Sequence, residues 1–188
     1  LEPILFAAAS SRPQIGILNR TEATGFEQDA EGVRVLARSL DDGSSRTVRA
    51  RFLVGCDGGR SSVRKAIGAE LHGTPVIQKV QSTFIRAPGL LARFPGRPAW
   101  CTYAANPRRS GVCFAIDGRE TWLVHNHLQP WETDFEAIDR DRCLRDILGV
   151  DDDFRYEVIS KEDWIGRRLV ADRFRAGRVF LCGDAAHL

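Results

Sequence analysis

Methionine is absent from all 188 residues. A chain without an initiator residue reads as an internal piece of a longer protein. Lysine is scarce, at Lys65, Lys79 and Lys161 alone, so arginine carries nearly all of the positive charge. No apolar run approaches the ~18 residues that a membrane helix needs. The short apolar stretch from Ile4 to Ala9 follows Glu2 and has no basic start, which excludes a secretory signal. The five cysteines are odd in number and contain no C-x-x-C pair, which argues against a disulfide framework or a redox motif. Cys56 and Cys182 sit in apolar runs and read as buried, reduced thiols of a cytoplasmic protein. There is no G-x-G-x-x-G and no G-x-S-x-G, so neither a dinucleotide fingerprint nor a hydrolase elbow lies in this stretch.

What is present is globular. Hydrophobic residues make up 43% and charged residues 28%, enough apolar chain for a real core in one large or two small domains. The net charge of +2 is spread along the chain, which gives no reason to propose nucleic acid or an acidic membrane as partner.

Two stretches share one design. Val179, Phe180, Leu181 and Cys182 form an unbroken apolar run that reads as a parallel strand buried on both faces. Gly183 permits a tight turn, Asp184 stands at the strand's carboxyl end, and Ala185 and Ala186 favour a helix start. In open α/β sheets ligands lie outside the carboxyl ends of strands, where helix-start N–H groups face them. The carboxylate can take hydrogen bonds from a polyol, and the small side chains admit a flat ring. The bland alternative is a core strand with a solvated turn aspartate. The second stretch is Ala50 to Gly68. Phe52, Leu53 and Val54 form the run, and Asp57, Gly58 and Gly59 the turn. Ser61 or Ser62 is the expected N-cap, Val63, Ala66 and Ile67 the helix stripe, and Gly68 its stop. Arg64 and Lys65 place positive charge near that turn.

GCDGGRSSVR resembles the Asp-Gly motif, and GRVFLCGDAAH the Gly-Asp motif, of the class A FAD-dependent aromatic hydroxylases, the p-hydroxybenzoate hydroxylase-like flavoproteins. EGVRV, FIRAPGL and Trp164 are similar to the phenol and polyketide hydroxylase branch. Gly59 departs from the usual alanine. The resemblance covers essentially the whole chain but lacks the family's opening G-x-G-x-x-G and the Pro- and Gly-rich loop beyond the Gly-Asp motif. The resemblance thus implies an internal fragment, inactive by itself and binding FAD weakly or not at all.

It further implies an FAD site in which Asp184 bonds the ribityl chain, with Gly183, Ala185 and Ala186 beside it. Asp57, Gly58 and Arg64 would support FAD and the passage of NAD(P)H. The plainer reading of the last group is an Asp57–Arg64 pair that locks strand to helix. The reaction implied is aromatic hydroxylation, with NAD(P)H reducing FAD, O₂ adding to give a flavin C4a-hydroperoxide, and oxygen passing to a phenolic or polyketide-like ring. A related halogenase, epoxidase or reductase, or a non-catalytic flavin-binding relic, carries the same two motifs. No catalytic acid or base can be named. His125 and His127 share a strand face, which reads as a polar lining of the substrate sheet and not as a metal site.

The expected fold is mixed α/β. It opens with a helix end at Leu1 to Ala8 and a short strand at Gln14 to Leu18. A meander of Thr21 to Gln28, Val33 to Ser39 and Thr47 to Val54 follows, with acidic Gly-containing turns. An antiparallel sheet follows, with strands at Gln81 to Arg86, Ala99 to Ala104, Gly111 to Ile116 and Thr121 to Leu128, and turns that include Pro88, Pro95, Pro98 and Asn106. Leu90 to Phe94 reads as one helical turn and Asp134 to Leu148 as an amphipathic helix. Tyr156 to Ser160 and Trp164 to Ala171 read as two strands, and the four tryptophans as core or sheet-face packing. The domain organisation expected is an FAD-binding part at 1–70 and 173–188, around a substrate domain at 71–172, whose sheet roofs the substrate.

Overall fold

The structure, a computed structural model, describes residues 1–96 and 99–188, so the turn at Pro98 lies outside the described residues. The chain forms two compact units, Leu1–His72 with Val170–Leu188, and Gly73–Leu169. Among the described residues no helix is long and apolar enough to cross a membrane.

The first unit opens with α1 (Glu2–Ser10), with Pro3 tolerated in its first turn. Gln14 to Leu18 is not a strand. Pro13 and Gly16 interrupt it, and no described segment pairs with it. Then β1 (Thr21–Gln28), β2 (Val33–Ser39) and β3 (Ser45–Ala50) form an antiparallel meander in that order. Its turns are held locally. Asp29 accepts the N–H groups of Glu31 (2.8 Å) and Gly32 (3.0 Å), and Asp42 accepts that of Ser44 (3.0 Å). A side chain at Gly32 would place Cβ 2.5 Å from the Ala50 carbonyl oxygen, so the first turn requires glycine.

The expected third strand is in fact two. β3 ends at Ala50, and β4 (Leu53–Gly55) belongs to a separate sheet with β10 (Arg175–Ala176) and β11 (Val179–Leu181). β4 and β11 run parallel, with Leu53, Val54 and Gly55 opposite Val179, Phe180 and Leu181. Between them in sequence comes α2 (Ser62–Ala66), and Gly68 at φ +68° stops it as the sequence indicates.

The second unit is a five-stranded sheet backed by one helix. Its strands are β5 (Leu71–Arg86), β6 (Cys101–Ala104), β7 (Gly111–Ala115), β8 (Thr121–His127) and β9 (Glu157–Ala171), in the order β6-β7-β8-β5-β9. β5 and β9 are far longer than their apolar patterns indicate, because backbone pairing carries a strand through polar residues such as Lys161 to Asp163. Leu91–Arg93 supplies the expected single helical turn.

Strand β8 alternates strictly between buried and half-buried positions. Trp122 and Val124 point to the core with Ile85, Leu90, Cys113, Leu144 and Ile147. Trp122 is 1% exposed and stacks on Phe94 with ring centroids 5.1 Å apart. Burying side chains of this size supplies about 1.5–3 kcal/mol each. Trp100 and Trp131, in contrast, are 71% and 76% exposed and form no core. Trp100 precedes an edge strand, and Trp131 follows Pro130 in a loop.

The helix α3 (Arg140–Leu148) starts six residues later than its pattern predicts. Asp134 spends its side chain on the Glu136 amide (3.0 Å), a turn that competes with helix. Asp139 then caps α3 by accepting the Arg142 N–H (3.0 Å), and Gly149 ends it at φ +65°. The helix sits tight on the sheet at Gly111, where a Cβ would lie 2.7 Å from Ile147 Cδ1.

Beside that core runs a polar chain that the sequence gives no sign of. Gln81 donates to the Phe135 carbonyl (2.9 Å), and Asn126 donates to Gln81 Oε1 (2.9 Å). Arg109 Nε donates to Asn126 Oδ1 (2.7 Å), and its guanidinium forks onto Glu132 (2.7 Å twice). The Arg109 and Glu132 side chains are only 10% and 14% exposed. Removing one member of such a pair strands the other charge at a cost of about 3–5 kcal/mol, whereas replacing both by apolar residues is far milder. Arg109→Met is therefore expected to lower unfolding free energy by about 3 kcal/mol, and Arg109→Met with Glu132→Met to recover much of that loss. Urea denaturation of the three chains checks it.

Candidate functional site

The parallel register brings the two motif turns side by side at the carboxyl ends of β4 and β11. Past the last paired residues the Cys182 N–H still donates to the Gly55 carbonyl (2.9 Å), so the strands stay together up to both turns. Gly55 lets α2 lie against β4, since a Cβ there would meet Val63 Cβ at 2.7 Å. Gly58 and Gly183 hold φ of +76° and +61°, a left-handed backbone that admits glycine readily.

Each strand buries one face only. Leu53 and Gly55, with Val179 and Leu181, turn toward α2, while Phe52, Val54 and Cys56 alternate onto the other face and are exposed. Phe180 on that face is half-buried, with Phe52 packed edge-on to it at 5.9 Å. The expectation of strands buried on both faces is corrected, and with it that of buried thiols at Cys56 and Cys182. Both are exposed free cysteines, whereas Cys113 and Cys143 are the buried ones.

Asp57 and Arg64 do not pair. Asp57 organises the start of α2, accepting from Ser61 Oγ, from the Ser62 N–H (2.7 Å) and Oγ (3.0 Å), and from the Val63 N–H (3.1 Å). Ser61, not Ser62, is the N-cap, and its Oγ accepts the Arg64 N–H (2.8 Å). Burial pushes the Asp57 carboxyl up, but the hydrogen bonds from Ser61, Val63 and Ser62 outweigh it and leave it below the usual carboxylate range.

Arg64 instead joins the two motifs. It is 6% exposed, and its guanidinium donates to the Gly59 carbonyl (2.7 Å) and to the Ala185 carbonyl (3.1 Å), 121 residues away. Among the described residues no carboxylate lies within ion-pair distance of it. A buried cation satisfied only by carbonyls leaves a positive field at the junction, which suits electron-rich ligand atoms.

Asp184 is exposed and bonds no protein group among the described residues. It lies in a 3-10 turn, Gly183–Ala185. The N–H groups of Gly183, Asp184 and Ala185 likewise donate to no backbone carbonyl among the described residues. A free carboxylate beside free N–H groups, on a turn whose Gly183 faces open space, fits a ligand with hydroxyls and polar ring edges. Ala185 and Ala186 turn their methyls inward, the latter onto Ala69, Ala171 and Leu181. They shape the turn and leave its backbone to face a ligand. His187 is exposed and bridges by its backbone to Val170.

The second unit carries a separate feature, on the sheet face opposite α3. Trp100, Phe114, His125 and Trp164 form a row across the strands, with successive centroids 5.3, 5.1 and 5.6 Å apart. Trp164 is pinned by its indole N–H on Ser82 Oγ (2.9 Å). Burial pushes the His125 and His127 imidazoles below their ordinary range, and for His125 the charge of His127 adds to it. At neutral pH both are neutral and offer a ring nitrogen as acceptor. The sequence showed the shared face of the two histidines but not the aromatic row, whose members come from four separate segments.

Comparison with known proteins covers the whole chain. The family profile described as FAD binding domain matches residues 1–188. A putative polyketide hydroxylase of Streptomyces halstedii is 37% identical over 198 residues, spanning 100% of this chain and 34% of that protein. Among solved structures, native and K252c-bound RebC-10x superposes with a TM-score of 0.79 at 32% identity, over 98% of this chain and 35% of the other. A ternary complex of aklavinone-11 hydroxylase with FAD and aklavinone gives 0.76 at 26% identity, over 89% and 32%. The chain spans about a third of the length of the curated relatives it matches.

Two outcomes test the geometry. Arg64→Lys keeps the charge but cannot reach both carbonyls, and is expected to cost about 2 kcal/mol in denaturant unfolding. The histidines give a pH signature. Their folded values lie below the unfolded ones, so their contribution to stability is full above the ordinary histidine range and is lost as pH falls through the lowered values. Melting temperature should fall between about pH 7 and 5, and His125→Phe should flatten that fall.

Proposed function

Because the chain belongs to the FAD binding domain family, that of the FAD-dependent aromatic hydroxylases, we propose that it is part of an NAD(P)H-using monooxygenase that hydroxylates a phenolic or polyketide-like aromatic compound with O₂. The observation that carries the reading is the unpartnered Asp184 carboxylate beside the free N–H groups of the Gly183 turn, where two parallel strands end.

The residues present fit FAD. Asp184 would accept hydrogen bonds from the ribityl hydroxyls, and the backbone from Gly183 to Ala186 would line the flavin edge. Asp57 and Gly58 shape the neighbouring turn, and Arg64 holds the two turns together from beneath. Bound FAD supplies the electron transfer from NAD(P)H to O₂. The chain's own part is to fix the cofactor's polyol and the spacing of the turns. For the substrate, the aromatic row of Trp100, Phe114, His125 and Trp164 offers ring faces and edges for stacking against a flat polycycle. The neutral imidazoles of His125 and His127 would take the hydrogen of a phenolic hydroxyl. A relative named as a polyketide hydroxylase and a matched structure named for its complex with FAD and aklavinone support a polyketide-like substrate. Use of NAD(P)H supports a cytoplasmic location for the enzyme.

The test is to extend the reading frame on both sides, express the longer product and assay it. It is expected to retain FAD, and to oxidise NAD(P)H faster when a polycyclic phenol is present. Its product should be heavier by one oxygen atom. Asp184→Ala in that product should lose bound flavin by roughly ten-fold or more in affinity, the worth of a charge-assisted hydrogen bond. A longer product that carries no flavin, or that reduces or halogenates the phenol, would overturn the proposal.

A further inference from the structure

Cys56 and Cys182 stand immediately before the two motif turns, one residue past Gly55 and Leu181, which are opposite each other in the parallel ladder. The Cys182 N–H to Gly55 carbonyl bond (2.9 Å) extends that ladder, so Cys56 and Cys182 are the next facing pair. Paired strands lie about 4.8 Å apart, which falls within the Cα separations of about 4.4–6.8 Å that disulfides span. Residues facing each other in a parallel ladder point to the same side of the sheet, and both of these side chains are exposed. Burial pushes the Cys56 thiol up, and the charge of Cys182 adds to it. Cys113 is buried in the sheet core and its thiol is pushed up to about 12 by burial, with Cys101 adding to it, which makes it inert by comparison.

We propose that Cys56 and Cys182 form an oxidisable dithiol that closes to a disulfide between the ends of β4 and β11 when the protein meets hydrogen peroxide. One thiolate attacks the peroxide, the O–O bond breaks, and a sulfenic acid forms with release of water. The second thiolate displaces the sulfenic oxygen as a second water, and the S–S bond forms. Two thiols lose two protons and two electrons, together two hydrogen atoms, and one peroxide becomes two waters. The bridge would clamp the residue before Asp57 to the residue before Gly183, fixing the spacing of the two turns. The chemistry needs only these thiols and peroxide, and so stands apart from the flavin reading.

The test treats the reduced 188-residue chain with hydrogen peroxide and weighs it intact. The expected result is a loss of two hydrogen masses per chain, restored by dithiothreitol. Trypsin without reduction should then release Phe52–Arg60 joined to Val179–Leu188. Cys56→Ser or Cys182→Ser should abolish the loss, and Cys101→Ser should leave it in place. Peptide mapping of the unsubstituted chain keeps the test decisive if a serine variant misfolds. Oxygen addition without the mass loss, a link to Cys101, Cys113 or Cys143, or a disulfide between two chains would overturn the proposal.

Discussion

The parallel pairing of Leu53, Val54 and Gly55 with Val179, Phe180 and Leu181 is the constraint on which the first unit depends. Three residue pairs are little by themselves. What makes the pairing hold is what it is tied to. Val63 of α2 packs on Gly55 so closely that no side chain is admitted there. The guanidinium of Arg64 then reaches from α2 to the carbonyl of Ala185 and back to that of Gly59. Helix, strand end and both turns are thereby one cluster. The parallel order also sets the direction of both strands, so both turns open on the same side. A pair of antiparallel strands would have put them at opposite ends.

The second unit answers a different requirement. A sheet backed by one helix has two unlike faces, and β8 shows both in alternation. Trp122 and Val124 go to a dry core with α3, while His125 and His127 go to the face that carries the aromatic row. Asn126 faces the α3 side too, and would be costly there without partners. Gln81, Arg109 and Glu132 supply them in a chain that reaches the loop after β8. That loop is therefore held by polar bonds, and the opposite face is left free for aromatic side chains. The two units thus differ in chemistry, with a pair of polar turns in the first and an aromatic sheet face in the second.

The sequence by itself determined a good deal. The turn chemistry of Asp29–Gly32 and Asp42–Ser44, the capping serine and Gly68 around α2, and the alternation in β8 are local signals, readable because each depends on neighbours in the chain. Gly58, Gly183 and Asp184 were readable for the same reason. What only the tertiary structure decided is what depends on partners far away in sequence. The one-sided burial of β4 and β11 follows from what packs on each face, which an apolar run does not encode. The lengths of β5 and β9 come from backbone pairing, which polar side chains do not prevent. Arg64 was expected beside Asp57, seven residues away, but found its acceptors through the fold, and Asp57 was satisfied by the helix start it caps. Cys56 and Cys182 became neighbours for the same reason. Local pattern fixes the shape of a turn, but only the register between distant strands fixes which two turns meet.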